Sequence, residues 1–540
     1  MDKNKIENNK AISKVSTRSM AFSTFLVMLG LVFSKGSGFL RDIFVGIKFS
    51  EPIYRDSPTL AFTIPDLVYN LLIGGSIQAA ITPSLAASIN KGEEKKGIEV
   101  VSIFISVFAV IMLVVCALGM IFADSLYSFY DNNGNSMTAE LAAKAGRMLF
   151  PQIFFMMLAA LSIGILNAYK RFGSTSFGPT IYNMFVLFSI ILFAGNSEKQ
   201  LVYTTTGIMC AALIYFLFQY IVGRDVLSKF KFNFDPLNKE FHALFKRALP
   251  ILISMSIVQI NTVVLNYFTT FYEQSGQAYA LRNASTIWQL PYGIFAVAIG
   301  NVMLPTLAAL YSEGKFNESS ELLSTRLKTA LFMTIPSTGL LIVFNTNVVL
   351  AIFQWSNEYT LYDAIRAGSF LIGYSPAVII HTVVFIMNQA FYAIGNTKIP
   401  LLAGSVGLIT NPLLCYIFVT NNYGPICLTI TYTITSFIQM SILLYFYYKD
   451  KRIAPTGIKP FIIKSFICVF IMCIFGFVID RIIPVGFSKL ISLVTLGIKF
   501  LLCIAVYFIL AFIFKIKEAV YWITRVKTNV NKIIRKFAKK

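Results

Sequence analysis

Long apolar stretches recur along this 540-residue chain, and they limit its possible folds more than any other feature. A helix that crosses the hydrocarbon core of a bilayer needs about 20 mostly apolar residues. Hydrophobic residues make up 56% of the sequence, charged residues only 13%, and the mean hydropathy is +0.70. These values are far from those of soluble globular proteins. The sequence therefore predicts an all-α polytopic membrane protein.

We count fourteen apolar stretches, each of which is a candidate transmembrane helix. They lie near residues 22–46, 59–89, 99–123, 139–169, 176–195, 201–222, 247–272, 279–310, 325–349, 363–393, 399–420, 425–448, 459–480 and 488–514.

Positive charges are distributed asymmetrically over the connections between these stretches. Lysine and arginine crowd the N-terminal arm, the even-numbered connections such as 223–247, and the C-terminal tail, whereas the odd-numbered connections are acidic or neutral. Cytoplasmic loops of membrane proteins carry such an excess of Lys and Arg. We therefore expect both termini in the cytoplasm. The net charge of +21 is explained by topology and by attraction to anionic lipid, so no nucleic-acid partner is expected.

Two copies of one sequence pattern indicate an internal repeat. PSLAASINKG at 83–92 matches PTLAALYSEG at 305–314, which lies 222 positions later. Such repeats are typical of transporters whose lobes rock about a central site. Matching helices are six spans apart and run in the same direction, so the sequence predicts parallel rather than inverted repeats.

A second match supports the same organisation, because Asn167 and Pro179 correspond to Asn388 and Pro400 at a shift of 221. We predict two six-helix lobes followed by two C-terminal helices without a counterpart. The predicted divisions are an N-terminal lobe at 1–223, a C-terminal lobe with a preceding cytoplasmic linker at 224–458, helices 13 and 14 at 459–516, and a basic cytoplasmic tail at 517–540.

Motifs of common enzyme classes are missing from the sequence. It has no phosphate-binding loop of the Walker A type, no HExxH and no GxSxG. The seven cysteines fall within apolar stretches without the spacing of metal ligands. We therefore predict a protein that is not an enzyme and that has no catalytic residues, cofactor or metal site.

The first apolar stretch carries two cations at membrane depth, Lys35 in its outer half and Arg41 near its outer rim. A cation in hydrocarbon costs about 3 kcal/mol or more, so each side chain must face a cavity or extend to the interface. Gly36 and Gly38 lie between them, where a helix can bend or a ligand can approach closely. Asp42 lies on nearly the same helix face as Lys35. It can pair with that lysine in the absence of ligand, or it can be a water-exposed carboxylate at the membrane rim.

Several stretches resemble a known family in order along the chain. They are SKGSGFLRDIFVG, Asp56, LAFTIPDLVYNLLIGGSIQAAITPSLA, GILNAYKRFGSTSFGP, QLPYGIFAVAIGNVMLPTLA and FYAIGNTKIP. Over roughly residues 15–450 they are similar to the signature stretches of the MurJ (MviN) lipid II flippases, in the multidrug/oligosaccharidyl-lipid/polysaccharide exporter superfamily. The resemblance implies fourteen helices, two six-helix lobes around a cationic central cavity, and a groove along helices 13 and 14 for a polyprenyl tail.

The resemblance also implies substrate-binding roles for individual residues. Lys35 stands where the family has a basic residue in helix 1, Arg41 where it has the following arginine, and Asp56 where it has the acidic residue that opens helix 2. In helix 8 the family's arginine aligns with Thr286. We predict that Arg282, one turn earlier, has taken over its role.

Other positions depart from the family or support the site. Tyr69 and Asn70 stand where some members carry paired arginines, and Gly74 replaces a nearby acidic residue, which leaves the precise substrate open. The repeat-matched Asn167 and Asn388 are candidates for contact with sugar or peptide, or for hydrogen bonds between helices.

Together these features predict an alternating-access flippase that moves lipid II from the inner to the outer leaflet of the bacterial cytoplasmic membrane for peptidoglycan biosynthesis. Its expected partners are an undecaprenyl-pyrophosphate-linked glycan and membrane lipids, and the use of a coupling cation stays open. One alternative is a flippase for another polyprenyl-linked glycan, such as teichoic acid, capsule or exopolysaccharide. A membrane enzyme would need an acidic or histidine cluster in a large external loop, and a cation-coupled drug exporter would favour an acidic cavity.

Overall fold

The computed structural model describes residues 29–30, 33–72, 76–273, 275–449, 457–483 and 489–520, with side chains outside 76–80, 172–174 and 247–258. The regular secondary structure of these ranges is helical. Helix α1 covers residues 33–48. The helices that follow it in the first half are α2 (Pro52–Ala61), α3 (Thr63–Leu72), α4 (Ser76–Asn90), α5 (Glu94–Ile121), α6 (Ala123–Tyr127), α7 (Ser136–Ala168), α8 (Phe172–Phe193), α9 (Glu198–Val222), α10 (Arg224–Leu227) and α11 (Lys239–Thr269).

The second half continues in the same way, with one π-helical segment at Tyr292–Val297 between its first two helices. Its helices are α12 (Gln277–Pro291), α13 (Ala298–Ser312), α14 (Phe316–Val343), α15 (Asn345–Phe353), α16 (Leu361–Ala393), α17 (Lys398–Thr420), α18 (Cys427–Lys449), α19 (Ile458–Ile482) and α20 (Lys489–Ile513).

Eleven helical segments in the described ranges are long and apolar enough to cross a membrane. The other three predicted stretches fall on α1, on α2 to α4 and on α11. Each of them contains or adjoins residues whose backbone or side chains are not described. The all-α membrane fold is therefore confirmed, and the total of fourteen spans stays a prediction.

The helices form two compact units, Met1–Gly276 and Gln277–Lys540. Within the first, α7 is central and packs against α2, α4, α5 and α9. Within the second, α16 is central and packs against α12, α14, α15 and α18, while α19 packs on α14 and α20. Because α7 and α16 carry the repeat-matched Asn167 and Asn388, the same repeat helix organises each unit. The lobe division at residue 223 stays a prediction based on the repeat, since α11 lies with the first unit.

The predicted seventh helix begins earlier than its apolar stretch, at Lys239 rather than at 247. The side chain of Asn238 accepts hydrogen bonds from the backbone N–H groups of Glu240 and Phe241. Such a side-chain cap satisfies donors that have no partner within the first turn of a helix. Capping therefore extends α11 into the polar linker, beyond what hydrophobicity alone predicts.

The predicted second helix, expected as one span over 59–89, instead begins at Pro52 and is interrupted after Ala61. In an α-helix the carbonyl of residue 61 accepts a hydrogen bond from the N–H of residue 65. Residue 65 is proline and has no N–H to donate. The sequence element that breaks the span is therefore Pro65, and the break leaves a carbonyl that needs another donor.

Tyr127 of α6 supplies that donor, because its hydroxyl donates a hydrogen bond to the carbonyl oxygen of Ala61. The ring of Tyr127 is fully buried. It occupies space that is open because residue 146 is glycine, where an added Cβ would lie 2.4 Å from the ring. Burial raises the pKa of the Tyr127 hydroxyl well above its ordinary value. The group therefore stays protonated and remains a donor.

We predict that Tyr127→Phe lowers thermal stability, because it leaves the Ala61 carbonyl buried without a donor. A loss of this kind costs about 1–3 kcal/mol. Adding Pro65→Ala should restore much of the stability, since it returns an N–H to the helix. The midpoint of thermal unfolding of the purified protein measures both effects, with the exposed Tyr203→Phe as the control. If Tyr127→Phe unfolds at the temperature of the parent, the proposed role of this hydroxyl is wrong.

Candidate functional site

Helix α1 presents Lys35 on an exposed face. The ammonium group makes no hydrogen bond or ion pair with another residue in the described part of the chain. The helix is continuous from 33 to 48 through Gly36 and Gly38, so the two glycines do not interrupt it in this conformation. A Cβ at Gly36 would have no atom of the described residues within 4 Å. This face of α1 is therefore open to a ligand beside Lys35.

Arg41 is held by two side chains. Its Nε donates to Asp42 Oδ1 at 3.1 Å, and its Nη1 donates to Asn183 Oδ1 of α8 at 3.2 Å. The Nδ2 of Asn183 donates in turn to the backbone oxygen of Ser34 at 3.2 Å. Asn183 thus binds α1 at two levels and fixes the guanidinium. The Arg41 side chain keeps 22% of its surface exposed, so it is accessible while paired.

The expected pair between Lys35 and Asp42 is not formed. The two residues lie seven positions apart, about 10 Å along the helix axis, whereas the guanidinium of Arg41 reaches the carboxylate at 3.1 Å. Asp42 therefore balances the charge of Arg41 and leaves Lys35 without a carboxylate partner in the described residues.

Asp66 of α3 is a second carboxylate near this region. Its negative charge acts on Arg41 and on Tyr69. We call Lys35, Arg41, Asp42, Asp66 and Asn183 the helix 1 cluster. It contains two cations and two carboxylates, of which Arg41 and Asp42 form a direct ion pair. Ionisable groups at membrane depth are costly and are usually kept for function, which makes this cluster the strongest candidate site of the first unit.

Asp56 and its neighbour Arg55 hold backbone groups at the start of α2. Asp56 is 5% exposed and accepts a hydrogen bond from the N–H of Gly276 at 2.5 Å. Arg55 is 1% exposed and donates to the backbone oxygens of Phe49 and Ser50 at 2.5 and 2.9 Å, which closes the end of α1. Asp56 therefore ties α2 to the segment after α11, and its role in substrate binding stays a prediction.

In the second unit, Arg282 and Thr286 lie one turn apart on α12. Arg282 is half-buried, and the Thr286 hydroxyl donates to the backbone oxygen of Arg282 at 3.0 Å. The threonine hydroxyl is thus used within the helix. This geometry is compatible with the prediction that Arg282 takes the role of the family arginine that aligns with Thr286.

The repeat-matched asparagines differ in their partners. Asn167 Oδ1 accepts a hydrogen bond from Thr175 at 3.0 Å. Asn388 Oδ1 is buried and has no hydrogen-bond partner in the described ranges, and the same holds for the Oε1 of the adjacent Gln389. Buried polar groups are normally hydrogen-bonded. Asn167 therefore joins α7 to α8, whereas Asn388 and Gln389 offer free acceptors to water or to a polar ligand group.

The structure adds Asp66 and Asn183 to the predicted site residues. Asp66 had a sequence signal, because a carboxylate inside an apolar stretch is rare and is usually functional. Asn183 had none, since asparagine in transmembrane helices commonly bonds between helices. Only the packing of α8 on α1 identifies it as a partner of Arg41.

We predict that position 35 faces water rather than lipid. In a background with the exposed Cys210 removed, Lys35→Cys should react with a charged thiol reagent at least about ten times faster than Leu113→Cys, because charged reagents do not enter hydrocarbon. Leu113 is 53% exposed on the apolar α5 and serves as the lipid-facing control. Equal rates at both positions would place Lys35 in lipid.

Comparison with known proteins identifies the family of this chain. The model of the lipid II flippase MurJ family matches residues 49–498. A probable lipid II flippase MurJ of Buchnera aphidicola subsp. Acyrthosiphon pisum is 25% identical over 425 residues, which cover 77% of this chain and 81% of the relative. The Vibrio cholerae protein of the same description is 24% identical over 433 residues, which cover 78% and 81%.

Solved structures of the same family and of a related fold are similar to this chain. One described as lipid II flippase MurJ in an inward closed conformation has a TM-score of 0.74 and 25% identity, and the match covers 91% of this chain and 98% of that one. An inward-facing multidrug resistance transporter of the MATE family, in the MOP superfamily, has a TM-score of 0.65 at 15% identity over 78% and 97% of the two chains, which shows a shared fold. Because the family model covers most of its length, this chain belongs to the lipid II flippase MurJ family.

Proposed function

We propose that this protein is an alternating-access flippase that carries lipid II, the lipid-linked peptidoglycan precursor, from the inner to the outer leaflet of the bacterial cytoplasmic membrane. Membership of the MurJ family supports lipid II as the cargo. The observation that carries the mechanism is the helix 1 cluster, in which an exposed lysine and an arginine with 22% of its side-chain surface exposed lie on the first predicted membrane span.

The chemistry of the cargo suits this cluster. Lipid II combines a pyrophosphate, a disaccharide with a peptide, and a long polyprenyl tail. Only the head group needs a polar path, because the tail can remain in lipid. Arginine forms charge-assisted, bidentate hydrogen bonds with phosphate oxygens. Lys35 adds a second cation. Because it has no carboxylate partner in the described part of the chain, it can bind an anion without first breaking an ion pair.

Asp42 has a defined part in this mechanism. In the empty site it accepts from Arg41 and keeps the guanidinium charge compensated. A pyrophosphate carries more negative charge than one carboxylate and can replace it at the guanidinium, while Asn183 keeps the side chain in position. Binding then exchanges one anion for another, which avoids leaving an unpaired cation at membrane depth.

Transport of this kind breaks no covalent bond, so the protein needs no catalytic group. Its working partners are the undecaprenyl-pyrophosphate-linked glycan and the surrounding lipids. The positive charge of both ends supports a cytoplasmic location for the termini. The arginine and lysine of α1 therefore approach the outer leaflet in the proposed orientation.

We predict that Arg41→Ala lowers transport by about tenfold or more, because hydrogen bonds to charged groups contribute about 1.5–3 kcal/mol each. Lys35→Ala should have a similar effect, and Arg41→Lys should lie between, since it keeps the charge and loses the fork. The exposed Arg326→Ala is the matched control. The assay depletes the native lipid II flippase of a bacterial host and measures growth together with lipid II reaching the outer leaflet. Full transport by both alanine variants at normal expression would refute the assignment.

We also predict that Arg282 performs the role of the helix 8 arginine. Arg282→Ala should lose most transport, and adding Thr286→Arg should restore a substantial part. The two positions lie about 6 Å apart along one helix face, which a guanidinium side chain can span. The same depletion assay measures both variants. If Arg282→Ala is as active as the parent, cargo binding does not use Arg282, and a polyprenyl-linked glycan other than lipid II becomes the stronger hypothesis.

A further inference from the structure

The segment between α10 and α11 runs in extended form along α5. The backbone N–H of Lys231 donates to Ser102 Oγ at 3.4 Å, and that of Asn233 donates to Ser106 Oγ at 2.8 Å. Alternate residues of an extended chain direct their N–H groups to the same side. Two serines one turn apart on α5 thus bind the segment at two successive points.

The depth of these contacts follows from the geometry of α5. The helix has 28 residues, about 42 Å, which exceeds the hydrocarbon thickness of about 30 Å. Its charged first turns, with Lys95 and Lys96, must account for the excess. Ser102 then lies near the membrane boundary and Ser106 about one turn inside it. The backbone of Asn233 therefore reaches the edge of the hydrocarbon.

Both ends of the segment return to the charged end of α5. Lys229 pairs with Glu94 at 2.8 Å, and Glu240 pairs with Lys96 at 2.7 Å. The chain therefore enters toward Ser106 and leaves again within about ten residues. Backbone polar groups at this depth need protein partners because lipid offers none. The hydroxyls of Ser102 and Ser106 meet that need for two of them.

Three large apolar side chains of this segment point away from the protein. Phe232 is 74% exposed, Phe234 49% and Leu237 84%. In water such a patch is unfavourable, whereas Phe and Leu side chains of interfacial segments insert at the boundary between head groups and acyl chains. The position beside Ser102 and Ser106 places the patch at the level of the head groups and the first acyl carbons.

Charge around the patch favours an anionic surface. Arg224, Lys231, Lys239 and Lys246 are exposed and form no ion pair within the described ranges. Of the nearby acids, Asp225 and Glu240 are paired with Arg171 and Lys96, and Asp235 accepts a hydrogen bond from Asn238. The four cations outweigh the single charge of Asp235, so the segment carries net positive charge beside its apolar side chains, the combination that binds anionic membranes.

We propose that residues 230–239 form an interfacial wedge that inserts Phe232, Phe234 and Leu237 into the cytoplasmic leaflet and binds anionic phospholipid head groups through Lys231 and Lys239. The wedge anchors the linker between the two predicted lobes to the lipid, so the composition of that leaflet acts directly on the linker. The proposal rests on the cytoplasmic location of the termini and is independent of the cargo.

Insertion is tested in full-length protein reconstituted in nanodiscs that contain brominated phospholipids. The Phe232→Trp variant should show blue-shifted emission, after subtraction of the parent signal, and at least about twofold more quenching by bromine near the head group than Lys91→Trp. Aqueous iodide should quench the two in the reverse order. Emission typical of water and strong iodide quenching in the Phe232→Trp variant would overturn the proposal, and would point to a soluble protein partner for the patch.

Head-group binding is tested by comparing zwitterionic phosphatidylcholine with phosphatidylglycerol nanodiscs. Quenching of Phe232→Trp should increase with the anionic lipid. Adding Lys231→Gln and Lys239→Gln should abolish the increase, whereas the matched pair Lys91→Gln and Lys95→Gln should retain it. Equal quenching in both lipids, or equal loss with both pairs, would contradict specific head-group binding.

The serine contacts are tested by hydrogen exchange of the peptide covering 229–238. Ser102→Ala with Ser106→Ala should speed exchange about tenfold, and Thr at both positions should preserve protection because it keeps the acceptor oxygen. Exchange as slow as in the parent after both alanine changes would show that the serines do not hold the wedge.

Discussion

Hydrocarbon offers no hydrogen bonds to the backbone, and this protein meets that constraint with side chains at three points where helical structure ends or breaks. Arg55 closes the end of α1 by donating to the carbonyls of Phe49 and Ser50. Tyr127 supplies the donor that Pro65 cannot give to Ala61. Ser106 accepts from the extended chain at Asn233. At these three points a side chain from a different element supplies the missing hydrogen bond and ties the two elements together.

Charged side chains in the predicted membrane region also need partners. One cation in each unit shows a different way of meeting this need. Arg41 bonds to Asp42 and Asn183, whereas Lys499 of α20 pairs with Asp480 at 2.7 Å while Asn347 donates to the same carboxylate. Lys499 is only 1% exposed, so its pair serves to hold α19 and α20 onto α15. Arg41 keeps 22% of its side-chain surface exposed, which leaves the guanidinium accessible from outside the pair. Accessibility, rather than residue type, separates the structural pair from the candidate binding group.

The internal repeat has diverged in a similar way. Asn167 accepts a hydrogen bond from Thr175, while the Oδ1 of its counterpart Asn388 is buried without a hydrogen-bond partner among the described residues. The equivalent of Thr175 at a shift of 221 is Asn396, whose side chain accepts from the backbone of Lys398 and Ile399 instead. The two copies of the repeat therefore differ in how these positions are hydrogen-bonded, and α16 presents a buried polar acceptor where α7 presents an occupied one.

The sequence by itself determined the membrane class, the helical fold, the repeat and the family, because each depends on local composition or on ordered motifs along the chain. It also identified Lys35 and Arg41, since a cation in an apolar stretch is costly wherever the helix packs. Only the tertiary structure decided the partners of these cations: Asn183 lies 142 positions from Arg41, and Asp42 bonds to Arg41 rather than to Lys35. The break of the second helix was encoded by Pro65, but its repair by Tyr127 was not visible, because a donor 66 positions from its acceptor is selected by packing alone. Spacing along a helix is a local property, whereas hydrogen-bond partners between helices depend on which faces the folded chain brings together.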